Sequence, residues 1–443
     1  WKELGMEYLS ANKILVVDLT SAEVTDDELS DALVREKIGG AAVAKHLYEQ
    51  HADGEPIVIG TGLLTGTLFP AAAAGVITAK SPVTGKISHC PITLKVGLEI
   101  QYSGYDYIII KGNSPEPAFL WIHDGVADIS SAAEVWGKNV WETTDTWRKA
   151  MGDDLIQTIV IGKAGEDQSD LAQVCYNYWA SGDRWGFGKN FGTKNLKGLA
   201  FRGMGLLEMA DAEEFVELAL DVLEEVKEGE FVGKKGIGDI CAAIGEADIN
   251  TWLAPIVHRH SACYNTPYAT NTFVFLDEDA QKMTEPEHSE PGFLITDIFG
   301  LIGFKKMGIS AKEACGLLKA CAKYGIDAAA VAELSLAADK KSPAEIQDSF
   351  ATLDGAVTRP GNGIFSPWCP NQPVFGKFDN IGDDPNAWWE RRMAVAYIFG
   401  IHPVFSVMSP EIMEEDLLEI ATIGTEVELS QDTLDNAVNY LLK

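Results

Sequence analysis

Arg184-Trp-Gly-Phe-Gly-Lys-Asn-Phe-Gly-Thr-Lys-Asn-Leu-Lys197 gathers three glycines, one arginine and three lysines into fourteen residues of a chain whose net charge is -31. Glycines let backbone approach an anion closely, and successive N–H groups can then point at it. Arg184 offers a bidentate clamp, and Lys189 and Lys194 offer point charges. Gly186, Gly188, Asn190, Gly192 and Asn195 supply the backbone and amide groups between them. Two readings follow from the residues alone: a local anion site, or a surface turn leading into the strand Gly198-Leu-Ala-Phe-Arg202.

Around this loop the composition is ordinary for a globular protein. The 443 residues are 46% hydrophobic and 23% charged, which allows a large core and two or three domains. Asp and Glu number 66 against 35 Lys and Arg. So acidic a surface argues against nucleic acid and anionic lipid as partners. No apolar run approaches the ~18–20 residues of a membrane span. The chain opens at Trp1, with no Met and no signal-type apolar region, and the start is read as processed or trimmed. Its seven cysteines are odd in number and scattered, and form no C-x-x-C pair. That pattern points to a reducing, cytoplasmic setting, away from a disulfide framework or a zinc motif.

Short β-branched runs dominate the first two hundred residues: Ile14–Leu19, Pro56–Ile59, Gly75–Thr78, Tyr107–Ile110, Ala118–Ile122 and Gln157–Ile161. Helices are expected over Thr25–Glu36 and Gly40–Gln50. Beyond Gly205 the period changes. Phe215, Leu218, Val222 and Val226 mark an amphipathic helix capped by Asp211. Ser310-Ala-Lys-Glu313 is a capping box, and Gly325 closes the helix it opens. Asp327 starts another. Ser342-Pro and Ser409-Pro each place proline at a first helical position. Residues 359–384, rich in Pro, Gly, Asn and Asp, read as a long irregular connection. The expected class is α+β: a β-rich domain over 1–205, then helical portions over 206–345 and 346–443.

Several stretches together resemble the aldehyde ferredoxin oxidoreductase family. They are Thr61-Gly-Leu-Leu-Thr-Gly-Thr67, Lys80-Ser-Pro-Val-Thr-Gly85, Ser103-Gly-Tyr-Asp-Tyr-Ile-Ile-Ile-Lys-Gly112 and Gly192-Thr-Lys-Asn-Leu-Lys197, in the family's order. Tyr324-Gly-Ile-Asp327 and Ile423-Gly-Thr-Glu426 also fit. The resemblance implies a β-base cradling two pyranopterins that hold tungsten or molybdenum, covered by two helical domains. It implies a nearby [4Fe–4S] cluster serving ferredoxin, and an anaerobic setting. The Arg184 loop then resembles part of the pterin-phosphate cradle.

The chain departs from the family pattern at the metal-bearing positions. His260, Cys263 and His402 occupy three former cluster-ligand places, and Pro267 occupies the remaining one. Cys₄ ligation is the norm for such clusters, so no [4Fe–4S] cluster is expected. The three ligand-type residues read either as a separate metal site or as packed relics. Ala322 and Tyr397 stand where the family carries pterin-anchoring aspartates, and Ala71–Ala74 stand where it carries an arginine. Glu287, within Glu285-Pro-Glu-His-Ser-Glu290, matches a carboxylate assigned to proton transfer; the alternative is an acidic surface loop. His89 and Cys90 read as a buried neutral pair.

These departures imply a shortened, diverged member that is non-catalytic or accessory, in a homo- or hetero-oligomer with redox proteins. The alternatives are an active tungsten or molybdenum bispterin oxidoreductase without its own cluster, and a phosphate- or pterin-binding module. Trp388 and Trp389 are read as part of the partner contact; the alternative is that both pack inside the third portion.

Overall fold

The computed structural model describes residues 8–277, 292–340, 342–379 and 381–443. Its strands are β1 (Ile14–Asp18), β2 (Glu23–Asp27), β3 (Ile57–Thr61), β4 (Gly75–Lys80), β5 (Ile87–Ile92), β6 (Tyr107–Lys111), β7 (Ala118–His123), β8 (Val126–Ser131), β9 (Gln157–Ile161), β10 (Val174–Tyr176), β11 (Trp179–Ala180) and β12 (Leu196–Arg202), followed by β13 (Val257–Ser261), β14 (Asn271–Phe275) and β15 (Gly292–Ile295). They form two six-stranded sheets, ordered β2-β1-β6-β3-β4-β5 and β11-β10-β9-β12-β7-β8, and a three-stranded sheet β13-β14-β15. Most neighbours are antiparallel; β1 with β6 and β12 with β7 run parallel.

The fold class is α+β, with the two large sheets in the N-terminal part and helices dominating the C-terminal part. Leu15, Val17, Ile57, Ile59 and Ile108 of the first sheet share one buried cluster with Leu120, Ile159, Leu199 and Phe201 of the second. The sheets therefore face one another across this layer. β3 and β9 are buried along their whole length. That is why they read as continuous apolar runs without alternation.

Sequence capping signals hold at most helix starts. Asp211 accepts from Glu214 N, Ser310 and Glu313 form a reciprocal capping box, and Ser342 caps Pro343–Asp348. Two expected helices are corrected. Residues 23–27 pair with β1, so the first helix starts later, at Asp31–Lys37. At Ser409 the hydroxyl bonds Glu411 locally, and the next helix begins at Glu414. The third residue after Ser409 is Ile412, with no carboxylate to complete a capping box, and the hydroxyl turns to Glu411 instead.

The irregular stretch from Arg359 lies against the first sheet. His89 N–H donates to Ile364 O at 2.7 Å, and Ser366 N–H donates to His89 O at 2.9 Å. The segment thus satisfies the free edge of β5. Trp388 and Trp389 are 6% and 3% exposed, and Trp389 Nε1 donates to Pro370 O. They are core residues of the C-terminal helices, which corrects their reading as an interface.

Residues 398–402 thread along the loop 62–74. Leu63 N–H donates to Ile398 O, Leu64 N–H to Phe399 O, His402 N–H to Ala71 O and Ala74 N–H to Gly400 O. Gly62 permits this approach, since a Cβ there would sit 2.0 Å from Gly400 N.

Candidate functional site

The chain reverses at Asp183, and the residues after it are shaped by that carboxylate. One oxygen accepts Trp185 N–H at 2.8 Å and the other accepts Phe187 N–H at 2.8 Å. Gly188 N–H goes to Ala172 O and Lys189 N–H to Gly186 O; Lys194 and Asn195 N–H groups return to Phe191 and Gly192. The loop therefore closes on a carboxyl group of its own. Residues 187–193 form a short helix. Gly192 in it packs on the backbone of Gly165, where an added Cβ would meet the Gly165 carbonyl oxygen at 1.8 Å.

Arg184 points into the protein and is 6% exposed. Its Nε lies 3.2 Å from Asp327 Oδ2, and its Nη2 donates to Thr358 O at 3.4 Å. The other oxygen of Asp327 caps its own helix, accepting from Ala329 and Ala330 N–H. Arg359 Nε donates to Arg184 O at 2.7 Å. Asp297 caps the helix Ile298–Lys306 nearby and is also buried. Burial pushes the carboxyl of Asp183 up to about 7. It pushes Asp297 up to about 6, with the charge of Asp327 adding to the effect.

Asp183, Asp297 and Arg359 were missing from the sequence reading, which took Asp327 as a helix cap alone. An Asp immediately before a glycine-rich turn is a local signal for a carboxylate that caps backbone N–H groups. The pairing of Arg184 with Asp327 spans 143 residues and leaves no local trace.

The remaining loop cations lie elsewhere. Lys189 pairs with Asp170 at 2.7 Å, and Lys197 pairs with Glu166 in a fully buried contact at 2.5 Å. Lys194 donates to the carbonyls of Gly112 and Gly54. Asn190 Nδ2 donates to Lys80 O, and Asn195 Nδ2 to Ser114 O. Lys189, Asn190 and Lys194 share a cleft of about 620 Å³ that Arg184 does not line.

The residues that the resemblance sets at cluster-ligand positions are separate pieces of packing. His260 is on β13 and its Nδ1 is 3.1 Å from Thr272 Oγ1. Cys263 is buried, with Asn271 Nδ2 at 3.9 Å from its sulfur. His402 is buried against Trp368, ring centroids 5.8 Å apart, and burial lowers it to about 4. Among the described residues no group of three or more His, Cys, Asp and Glu could hold a metal ion. Ala322 is fully buried, and Tyr397 packs on Phe365 at 5.2 Å. Ala71, Ala72, Ala73 and Ala74 are buried, with Ala72 bridged to Ile401. His89 is buried against Thr78 Oγ1 at 2.8 Å, and burial depresses it to about 3. Glu287 lies outside the described residues.

Comparison with known proteins places the first half of this framework. Residues 14–203 match the family described as aldehyde ferredoxin oxidoreductase, N-terminal domain. Residues 14–203 are an aldehyde ferredoxin oxidoreductase N-terminal domain. A tungsten-containing aldehyde ferredoxin oxidoreductase of Pyrococcus abyssi is 33% identical over 276 residues, covering 60% of this chain and 44% of that protein. The WOR-like subunit of an aliphatic sulfonate oxidoreductase of Pyrococcus furiosus is 29% identical, covering 49% of this chain and 39% of that one. The chain thus spans less than half the length of these family members. Its fold is shared with the active-site complex BamBC of benzoyl coenzyme A reductase, with a TM-score of 0.81 at 16% identity, covering 98% of this chain and 88% of that one. No described helix of this chain is long and apolar enough to cross a membrane.

Proposed function

We propose that this chain is a non-catalytic member of the aldehyde ferredoxin oxidoreductase family, serving as an accessory subunit of a redox assembly. The observation that carries the reading is the closure of the loop on its own carboxylates. Asp183 takes the Trp185 and Phe187 N–H groups, and Asp327 takes the Arg184 guanidinium. A pterin phosphate needs donors of this kind, and here they already have carboxyl acceptors within the chain. The positions that resemblance assigns to pterin carboxylates are a buried alanine and a buried tyrosine packed on an aromatic ring. The residues at this seam do not fit a metal held between two pterins.

Exposed apolar side chains support a partnered role. Met204 and Leu206, just after β12, are 78% and 90% exposed, and Leu68 is 50% exposed. One relative, the WOR-like subunit of the Pyrococcus furiosus aliphatic sulfonate oxidoreductase, is itself a subunit.

The test is purification from the native source, or co-expression with neighbouring genes, followed by native mass, elemental analysis and aldehyde-dependent viologen reduction. The expected result is a hetero-oligomer in which this chain carries no stoichiometric tungsten, molybdenum or iron. Stoichiometric tungsten with aldehyde oxidation by the isolated chain overturns the proposal.

A further inference from the structure

The outward face of the basic loop lines the cleft of about 620 Å³ together with Gly54, Glu55, Lys80 and Asn113. That volume falls in the range of small-molecule sites, roughly 300–1,000 Å³. Lys194 is 5% exposed. Its ammonium donates to two neutral carbonyls, Gly112 O at 3.1 Å and Gly54 O at 3.4 Å. An ammonium carries three donors, so one remains for an occupant. Among the described residues Lys194 makes no ion pair. Burial lowers its affinity for its proton, and the more distant Glu55 and Asp18 offset this in part. A buried cation held only by neutral dipoles is costly, and an incoming anion relieves the cost.

A second buried polar group in the same wall is without a partner. Asn190 Oδ1 is buried with no hydrogen bond, while its Nδ2 is fixed on Lys80 O at 3.0 Å. The amide is therefore oriented with a free acceptor. Lys80 and Lys189 add positive charge. Their ion pairs, with Glu55 at 3.8 Å and Asp170 at 2.7 Å, involve partly exposed side chains. Such pairs contribute little and exchange readily for a better anion. Asp53 and Glu55, which flank Gly54 in the same lining, offer carboxylate acceptors to hydroxyl groups.

We infer that this cleft binds a phosphate monoester of a polyhydroxylated compound, of sugar-phosphate or nucleoside-monophosphate size. The phosphate sits against Lys194 between Lys80 and Lys189. A hydroxyl or amino group of the ligand donates to Asn190 Oδ1, and the remaining hydroxyls face Asp53 and Glu55. The acidic lip disfavours longer polyphosphates by repulsion. This site is independent of the accessory-subunit reading, because neither Arg184 nor Asp327 takes part.

Calorimetric titration of the full chain with ribose 5-phosphate, AMP, inorganic phosphate and unphosphorylated ribose tests the inference. Saturable binding of ribose 5-phosphate or AMP is expected, at least tenfold tighter than inorganic phosphate, with none for ribose. Lys194→Gln should weaken the organic phosphate at least tenfold. Because Lys194 is buried and its variant could fail to fold, Asn190→Asp is the second arm. It places a negative charge at a half-buried position, gives up the bond to Lys80 O, and should weaken binding by at least tenfold while thermal unfolding stays cooperative. Absence of binding by both organic phosphates overturns the inference. So does Asn190→Asp binding as tightly as wild type, or loss of binding in Arg184→Met but not in Asn190→Asp.

Discussion

Arg184 and Asp327 form an ion pair at 3.2 Å with side chains 6% and 2% exposed, joining the loop before β12 to the start of a helix 143 residues later. Taking both charges out of water is expensive, and their attraction offsets that cost only while both are present. The pair therefore acts as a conditional clasp between the two-sheet unit and the helical part of the chain.

Removing one member should expose that conditionality. Arg184→Met leaves Asp327 buried and uncompensated, and a loss of about 3–5 kcal/mol is expected from urea unfolding. The double variant Arg184→Met/Asp327→Asn should recover most of it, since asparagine still accepts from the Ala329 and Ala330 N–H groups. A single-variant loss below about 1 kcal/mol, the scale of exposed pairs, would contradict the buried clasp.

Asp183 should make stability fall as pH rises. Its folded carboxyl holds a proton up to about 7, whereas an unfolded aspartate releases it near ~3.9. Between these values the folded state binds the extra proton, so unfolding free energy declines with pH, with a slope approaching about 1.4 kcal/mol per unit for one proton. Asp183→Asn lacks this proton. Its stability relative to wild type should therefore improve from about pH 4 to 7 and level off above, when both are unfolded across that series. A difference that stays constant over the range would rule out a buried neutral Asp183.

His402 should act with the opposite sign. Burial lowers it to about 4, and the unfolded imidazole charges near ~6.5. The unfolded state then binds the extra proton in this window, so stability present at neutral pH is lost as pH falls from ~6.5 towards 4. His402→Gln should be less acid-sensitive than wild type over that window, measured by urea midpoints at each pH. An unchanged acid slope would argue that the imidazole reaches solvent.

Two glycine substitutions separate close packing from helix propensity. Gly192→Ala places Cβ 1.8 Å from the Gly165 carbonyl oxygen and should lower stability by roughly 2–4 kcal/mol through forced backbone movement. Gly316 sits within the helix Ala311–Tyr324 with nothing within 4 Å of an added Cβ. Gly316→Ala should raise stability by about 0.5–1 kcal/mol. Thermal melts of the two variants moving in the same direction would refute this account.

The sequence by itself determined the class of the fold, the places of β1, β3, β4, β6, β7 and β9, and the main helix caps at Asp211, Ser310 and Ser342. Those are short-range properties: β-branched runs, turn residues and side-chain oxygens within three residues of the N–H groups they cap. It also carried the family motifs, which are local strings. It left Trp388 and Trp389 between an interface and an internal position, because burial depends on what the rest of the chain lays over a helix. It could not show that residues after Arg359 complete the edge of β5, since strand pairing at such separation has no local signature. Above all, only the tertiary structure decided the fate of the Arg184 loop. Its composition is that of an anion site, and composition does not say which anion. The fold brings Asp183 and Asp327 to those donors, turns Lys189, Asn190 and Lys194 to an outer cleft, and so divides one basic stretch between an internal clasp and an external site.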